Sequence, residues 1–204
     1  MLKSNLFFLV VFFIINTQLQ AQTFKAGVIL GVTASQINGD DSAGFNKPGL
    51  EGGLKSAVTI SEKVDISLEI LYSQRGAKDE ASADGVVQNI YRTTYVAIPI
   101  IYNYKDWAAE DYYRLHFHGG LSYGRLINAE LDNDQDNTAF VDAWNQNDFG
   151  FLVGATYFVN SKFGLTFRYN RSILRLYRFD PNDGFTGRES LLAFNLSLHG
   201  TYIF

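Results

Sequence analysis

The chain has no cysteine, little proline and little charge for its length. It contains 3 prolines in 204 residues, and charged side chains make up 19% of the total. Without cysteine there is no disulfide framework and no thiolate metal site. The formal net charge of -4 leaves no excess of lysine and arginine for neutralising phosphates, so we expect no nucleic-acid partner.

Aromatic residues, in contrast, are abundant. Phenylalanine, tyrosine and tryptophan together account for 15% of the chain. A disordered chain has the opposite balance, with few aromatics and much charge. Because the length is that of one ordinary domain, the composition predicts a single folded unit.

The N-terminal segment has the pattern of an export signal. Lys3 precedes a wholly apolar run at residues 6–15, and polar residues follow ahead of Ala21. This order of features is typical of a secretory signal peptide. A membrane anchor is the alternative, but the run covers only about half of a hydrocarbon core that is about 30 Å thick. We expect a signal peptide at residues 1–21, cleaved near Ala21, and a mature domain at residues 22–204.

The mature part is dominated by alternation of apolar and polar residues. In the last segment Leu196 and Leu198 belong to an apolar set, whereas Asn195 and Ser197 belong to a polar one. Successive side chains of a strand point to opposite faces, so this alternation predicts a strand with one apolar face. Eight segments fit the pattern: 24–34, 50–60, 64–73, 92–104, 113–125, 149–159, 163–170 and 194–204.

The connections between these segments alternate in length. The long ones are residues 35–47, 76–89, 127–146 and 172–190, and the short ones are residues 61–63, 105–112 and 160–162. A soluble antiparallel sandwich also alternates along its strands, but long loops at one end and short turns at the other are typical of a membrane barrel. An open sheet edge in lipid would leave backbone groups unpaired, so the sheet must close. The predicted fold is therefore all-β: an eight-stranded antiparallel up-and-down transmembrane β-barrel with short periplasmic turns and long extracellular loops.

The two sides of the predicted strands differ in charge. We expect the apolar sides to face lipid without charge, and the polar sides to line a lumen that eight strands leave just wide enough for side chains to fill. The polar sides carry seven charged residues: Lys25, Glu51, Lys55, Asp65, Glu69, Arg114 and Arg168. Because buried charges need partners, we predict an internal salt-bridge network with a structural role rather than a substrate site.

The export signal, the eight amphipathic segments, the long polar loops and the terminal Tyr202-Ile203-Phe204 together resemble small outer-membrane barrels of the OmpA and OmpX kind. The opening at residues 25–32 and the central Tyr-Val-Ala-Ile-Pro-Ile-Ile at residues 95–101 resemble the PorT-family barrels of Bacteroidetes more closely. The resemblance implies a Gram-negative outer membrane, and it implies that Phe204 is the assembly signal read by the barrel-assembly machinery. No motif carries a secretion-system activity onto these residues.

Pro99 lies inside a predicted strand. Proline cannot donate to a strand ladder and is found at edges or bulges, so it predicts a local bulge. A simple break in strand pairing is the alternative.

Two clusters have the residue types of metal sites. Asp132, Asp134 and Asp136 could converge on calcium through oxygen ligands, although Asn137 and Ala143 stand where a calcium hand has its glycine and its bidentate glutamate. A solvated acidic loop is the alternative. His116 and His118 share the polar face and could bind a metal if a third ligand crossed the lumen, the alternative being hydrogen-bonded filling of the interior.

Ser197 and His199 also share a face, which raises the question of an acyl hydrolase. In the predicted register both point into the filled lumen, away from lipid acyl chains, and no phosphate loop, zinc helix motif or nucleophile elbow occurs. We therefore expect a non-enzymatic monomer without cofactors, a structural or interaction module that displays four loops outside the cell. Its expected partners are outer-membrane lipid, the barrel-assembly machinery, and a surface ligand or secretion-system proteins. A narrow pore or secretion accessory and a lipid A-modifying enzyme are the alternatives.

Overall fold

The computed structural model describes residues 24–38, 45, 47–78, 90–132, 145–174 and 192–204. Eight strands occupy most of these ranges: β1 (Phe24–Asn38), β2 (Lys47–Ser61), β3 (Val64–Lys78), β4 (Ile90–Ala108), β5 (Tyr113–Asp132), β6 (Asn147–Phe158), β7 (Phe163–Ser172) and β8 (Leu192–Ile203). In the part of the chain that the structure describes, no helix has the length and apolarity to cross a membrane.

The strands close into a barrel in chain order. Each pairs antiparallel with the next, and β8 pairs back onto β1, where Gly27 lies opposite Ile203. Stepping from partner to partner once around the barrel leads from Ala26 on β1 to Gln36, which lies ten residues farther along the same strand. This stagger tilts the strands by roughly 35–45° from the barrel axis. The predicted closed, eight-stranded, up-and-down architecture is confirmed.

The strands run farther than the alternation predicted. β3 continues to Lys78 and β5 to Asp132, whereas the predicted segments end at residues 73 and 125. The alternation of connection length remains. We call the end with the long connections (residues 39–46, 79–89, 133–146 and 173–191) the loop end, and the end with the short ones (residues 62–63, 109–112 and 159–162) the turn end.

Pro99 interrupts the ladder without causing a bulge, so the predicted bulge is wrong and the simple break is what occurs. Pro99 stays in register with Ser122 of β5. Towards β3, pairing stops after Leu68 and resumes at Leu71 with the register unchanged, as expected where a backbone donor is missing. The irregularity in β4 and β5 lies nearer the loop end, where Ile127 is the extra residue.

Burial alternates along the strands as the sequence pattern predicted, with polar side chains inside and apolar ones outside. On β8, Asn195, Ser197 and His199 are buried, whereas Leu198 is 55% exposed. The expectation that the outer face is free of charge holds in the middle of the barrel and fails near the loop end, where Arg125 and other arginines point outward. The outward-facing arginines there are Arg92, Arg125 and Arg171. Charge at the rim does not have to leave water, which is why the pattern ends there.

Candidate functional site

The lumen is the candidate site, and Glu69 lies at its centre. Glu69 is fully buried on β3. Arg168 of β7 reaches across the barrel and donates to both carboxylate oxygens, at 2.8 Å to Oε2 and 3.2 Å to Oε1. Lys55 of the neighbouring β2 donates to Oε1 at 3.0 Å. One carboxylate therefore joins opposite walls of the barrel through a two-pronged arginine contact and a lysine.

A second charge cluster lies near the turn end. Lys105 of β4 donates to Oδ1 of Asp65 on β3 at 2.9 Å, and both side chains are almost completely buried. Asn103 donates to the Ser67 hydroxyl at 3.0 Å and to the backbone oxygen of Asp65. His116 is the register partner of Lys105 on β5. These contacts fill the lumen between β3, β4 and β5.

A third charge cluster lies near the loop end. Nη1 of Arg75 is 3.1 Å from Oδ2 of Asp148 on β6, and Nε of Arg75 donates to the Ser73 hydroxyl at 3.2 Å. Ser73 in turn donates to Oε2 of Glu51 at 2.8 Å. The Arg75 guanidinium also lies 5.2 Å from the ring centre of Tyr95. The hydrogen bonds thus connect Asp148 on β6 to Glu51 on β2.

Charge is balanced among the ion-paired lumen side chains that the structure describes. Four carboxylates face four cations: Glu51, Asp65, Glu69 and Asp148 with Lys55, Arg75, Lys105 and Arg168. Salt bridges occur at three successive levels of the lumen. Because a buried ion is costly unless it is paired, replacing any one of these residues would destabilise the barrel. The paired side chains fill the lumen at each of these levels.

The residues predicted for the network divide into two groups. The structure brings Lys55, Glu69 and Arg168 together, places Glu51 in the adjoining cluster, and pairs Asp65 with Lys105. The other two predicted members, Lys25 and Arg114, form no ion pair within the described residues.

Arg114 needs a correction, because it lies at the rim and not in the lumen. Its guanidinium is 5.9 Å from the Trp107 ring, and that ring contacts Tyr157 on the outer face at 6.2 Å between centroids. Trp107 has a left-handed backbone, with φ of 55°, which ends the regular alternation of β4. Arg114 holds an inward position in the alternation of β5, but its long side chain turns the guanidinium to the Trp107 ring at the rim.

The sequence reasoning missed three charged members of the lumen, and strand length is the reason. Arg75, Lys105 and Asp148 all lie beyond the ends of the predicted segments. Each lies on the polar side of the alternation in its strand, so predicted segments longer by two residues or fewer would have included all three. His199 was placed on the polar face, but its neighbour Glu51, with Nδ1 and Oε1 3.6 Å apart, could not be read from one strand.

Inward glycines make room for the long side chains. A Cβ on Gly154 would lie 2.6 Å from Nε2 of His118, so only glycine leaves space for that ring. A Cβ on Gly53 would collide with the backbone oxygen of Ile70. The lumen is therefore filled by large side chains where neighbouring strands present glycine.

The histidine and serine candidates lie inside this packed lumen. His118 is buried with Nε2 lacking a hydrogen-bond partner, and neither ring nitrogen of His199 has one. Within the described ranges, no group of three or more histidine, cysteine, aspartate or glutamate side chains could hold a metal ion. Ser197 and His199 are both buried in the wall of β8.

Of the remaining two predicted sites, the structure describes Phe204 but only part of the aspartate cluster. Asp132 ends β5, and Asp134 and Asp136 lie outside the described residues, so the calcium hypothesis stays a prediction. Phe204 follows β8; its backbone N–H donates to the Ala26 oxygen at 2.9 Å and its side chain is 71% exposed on the outer surface. Its role as an assembly signal also stays a prediction.

Comparisons with known proteins agree with the barrel. The structure is similar to that of Neisserial surface protein A, with a TM-score of 0.54 and 12% identity over 91% of this chain and 100% of that one. It is also similar to Ail, the attachment invasion locus protein of Yersinia pestis, with a TM-score of 0.50 and 11% identity over 89% of this chain and 99% of that one. No curated protein matched the sequence.

At these identities the two structures show the fold alone. The family is shown by a sequence model for the outer membrane protein beta-barrel domain, which matches residues 20–178. That match covers well over half of the chain and spans β1 to β7. The chain belongs to the outer membrane protein beta-barrel domain family, and its place is the outer membrane.

Proposed function

We propose that this protein is a closed, non-conducting barrel that anchors four surface loops in the outer membrane and acts as a structural or interaction module. One observation carries the proposal: Arg168 crosses the lumen to Glu69, with further salt bridges above and below. A barrel of eight strands has only enough interior for side chains, so paired long side chains leave no aqueous path. The parts of the chain that are left to interact with other molecules are then the loops at residues 39–46, 79–89, 133–146 and 173–191.

The same packing argues against catalysis. An acyl-transfer site needs a nucleophile, a base within hydrogen-bond reach and access for the substrate. Ser197 and His199 face the lumen, and the nearest carboxylate to His199 is Glu51, which also accepts a hydrogen bond from Ser73. Lipid chains reach only the outer face of the strands. We therefore assign no enzymatic role, and the mass of lipid A should be unchanged when the protein is overexpressed.

Conductance in planar bilayers tests the proposal directly. The purified chain should give the current of a bare bilayer, whereas E69A/R168A, which removes the contact across the lumen, should give measurable current. K162A is the matched control because Lys162 is exposed at the turn end. Gel mobility before and after boiling verifies that each variant is a closed barrel.

A steady conductance of the unaltered chain would contradict the proposal and favour a narrow pore. A monomeric interaction module is also expected to bind a ligand or a partner protein through its loops. Isolation of the intact protein in a stable complex with secretion-system components would instead support the accessory role.

A further inference from the structure

Two arginines near the loop end point outward, and the filling of the lumen gives no reason for charged side chains on the outer face. Arg125 of β5 lies opposite Asn147 of β6, and Arg171 of β7 lies opposite Phe151 of β6 and Phe194 of β8. Both arginines are exposed on the lipid-facing side. Aromatic residues lie beside both: Tyr123 next to Arg125, and Phe151 and Phe194 opposite Arg171. Such rings are typical of the interface between the hydrocarbon core and the headgroups.

Among the described residues, the groups that hold Arg125 in place are neutral oxygens. Nη1 donates to Oδ1 of Asn147 at 2.9 Å, and Nη2 donates to the side-chain oxygen of Gln146. Tyr123 donates to the same Asn147 oxygen at 2.8 Å and so fixes the amide. A guanidinium has five N–H donors, and two of them are used here. No carboxylate of the described residues neutralises this charge, which leaves it to attract an anion.

Arg171 is held in place by stacking. Its guanidinium carbon lies 5.1 Å from the centre of the Phe194 ring. A ring face holds the planar group flat while leaving the N–H edges free. Neither Arg171 nor Arg125 forms an ion pair with a carboxylate in the described part of the chain. Both groups are therefore oriented before any ligand arrives.

The spacing of the two arginines suits two separate anions. They are two strands apart, which is about 10 Å across the sheet, and offset by four residues along β6, which adds about 13 Å along the strands. The stagger of the barrel raises successive strands towards the loop end, so this offset places both arginines near one level. The two guanidinium groups therefore lie side by side near the loop end, too far apart to share one phosphate.

From this geometry we propose that Arg125 and Arg171 form a binding site for the phosphate groups of outer-leaflet lipid. Lipid phosphate is the anion present at that depth, and arginine matches its geometry with two parallel hydrogen bonds. The aromatic rings of Phe149 and Phe151, which lie on β6 between the two arginines, would contact the upper acyl chains. The site goes beyond the anchoring role because it selects a class of lipid.

Lipid binding to the full chain in phosphatidylcholine nanodiscs tests the site. The probes are diphosphorylated lipid A, the same lipid with its phosphates removed, and inorganic phosphate, each measured by native mass spectrometry. A charge-assisted hydrogen bond contributes about 1.5 kcal/mol or more, so the phosphorylated lipid should bind at least about 10-fold tighter than the dephosphorylated one. R125Q/R171Q should reduce that preference to about 2-fold or less.

The control variant is K63Q/K162Q, which removes the same charge from exposed positions at the turn end and should keep the preference. Loss of the preference in the control as well would overturn the proposal, as would its survival in R125Q/R171Q. Displacement of the lipid by equimolar inorganic phosphate would also overturn it, since the site would then bind free anion. Should R125Q/R171Q not fold, R125Q and R171Q are measured singly. The preference of the unaltered chain for the phosphorylated lipid should also decrease as the salt concentration rises, and a preference that does not decrease would overturn the proposal.

Discussion

The inner and outer faces of the same strands follow different rules for charge. On β3, Asp65 and Glu69 point inward and are paired, whereas the alternate residues Ile66, Leu68 and Ile70 point outward and are apolar. The inner face thus accepts ions at every level, provided that each has a partner. The outer face accepts them only near its ends.

The difference comes from what replaces water on each side. Inside, a guanidinium or ammonium can satisfy a carboxylate across a few ångströms, as Arg168 does for Glu69. Outside, lipid tails offer no partner, and a charge reaches one only at the headgroups. The position of a charge is therefore decided by the availability of a counterion and not by burial alone.

The largest expected effect is the loss of the central carboxylate. E69Q keeps the shape of the side chain but leaves Lys55 and Arg168 buried without their anion. Breaking one side of a buried ion pair costs about 3–5 kcal/mol. Equilibrium unfolding in urea, followed by tryptophan fluorescence in lipid vesicles, should show a loss of that size.

E110Q is the matched control, because Glu110 is exposed in the turn between β4 and β5. Its free energy of unfolding should change by less than about 0.5 kcal/mol. An E69Q loss no larger than that of E110Q would mean that the inner face does not depend on pairing, and the comparison of faces would fail.

The next effect concerns the outer face. L198R places a charge near the middle of the barrel wall, between Val32 and Phe167, where lipid is the only neighbour on the outside. Arginine at the bilayer midplane of a barrel costs about 2–4 kcal/mol and near the interface about 0–1 kcal/mol. I173R, beyond the end of β7 at the loop end, should therefore be tolerated where L198R is not. Equal urea midpoints for the two variants would show that depth does not matter.

The sequence predicted the faces well because alternation is a local property. The inward residues Glu69 and Arg168 and the outward Leu198 were assigned from parity within single strands, and the structure places each on the expected side. Strand number and closure followed from the same pattern and from the cost of an open edge in lipid.

The partners of the lumen charges were beyond the reach of that reasoning. That Arg168 meets Glu69, 99 residues away in sequence, depends on the stagger of all eight strands together. Arg114 was misplaced because its guanidinium turns to the Trp107 ring at the rim, and the alternation of β5 alone does not show this contact with β4. Arg125 and Arg171 were overlooked as a pair because they lie on strands that are not sequence neighbours.

A smaller effect distinguishes glycines on the two faces. G53A puts a Cβ against the backbone oxygen of Ile70 on the inner side, whereas a Cβ on the outward Gly119 would meet nothing closer than 3.7 Å. Overpacking a tight position costs about 1–3 kcal/mol, and alanine in place of a strand glycine without a clash is neutral or favourable. The two unfolding free energies should therefore differ by at least about 1 kcal/mol, and equal values would show that the inner wall adjusts freely.

The smallest expected effect is at an uncharged pair in the lumen. The hydroxyls of Thr156 and Thr166 are 2.8 Å apart and both residues are buried. T166V leaves the Thr156 hydroxyl without a partner, which costs about 1–3 kcal/mol, whereas T156V/T166V removes both polar groups and should cost less than T166V alone. Urea unfolding of both single variants and the double variant measures this non-additivity. It would show that hydroxyls in the lumen, like ions, are destabilising when one partner is left unpaired rather than when the hydrogen bond itself is absent. Additive losses would limit that rule to charges.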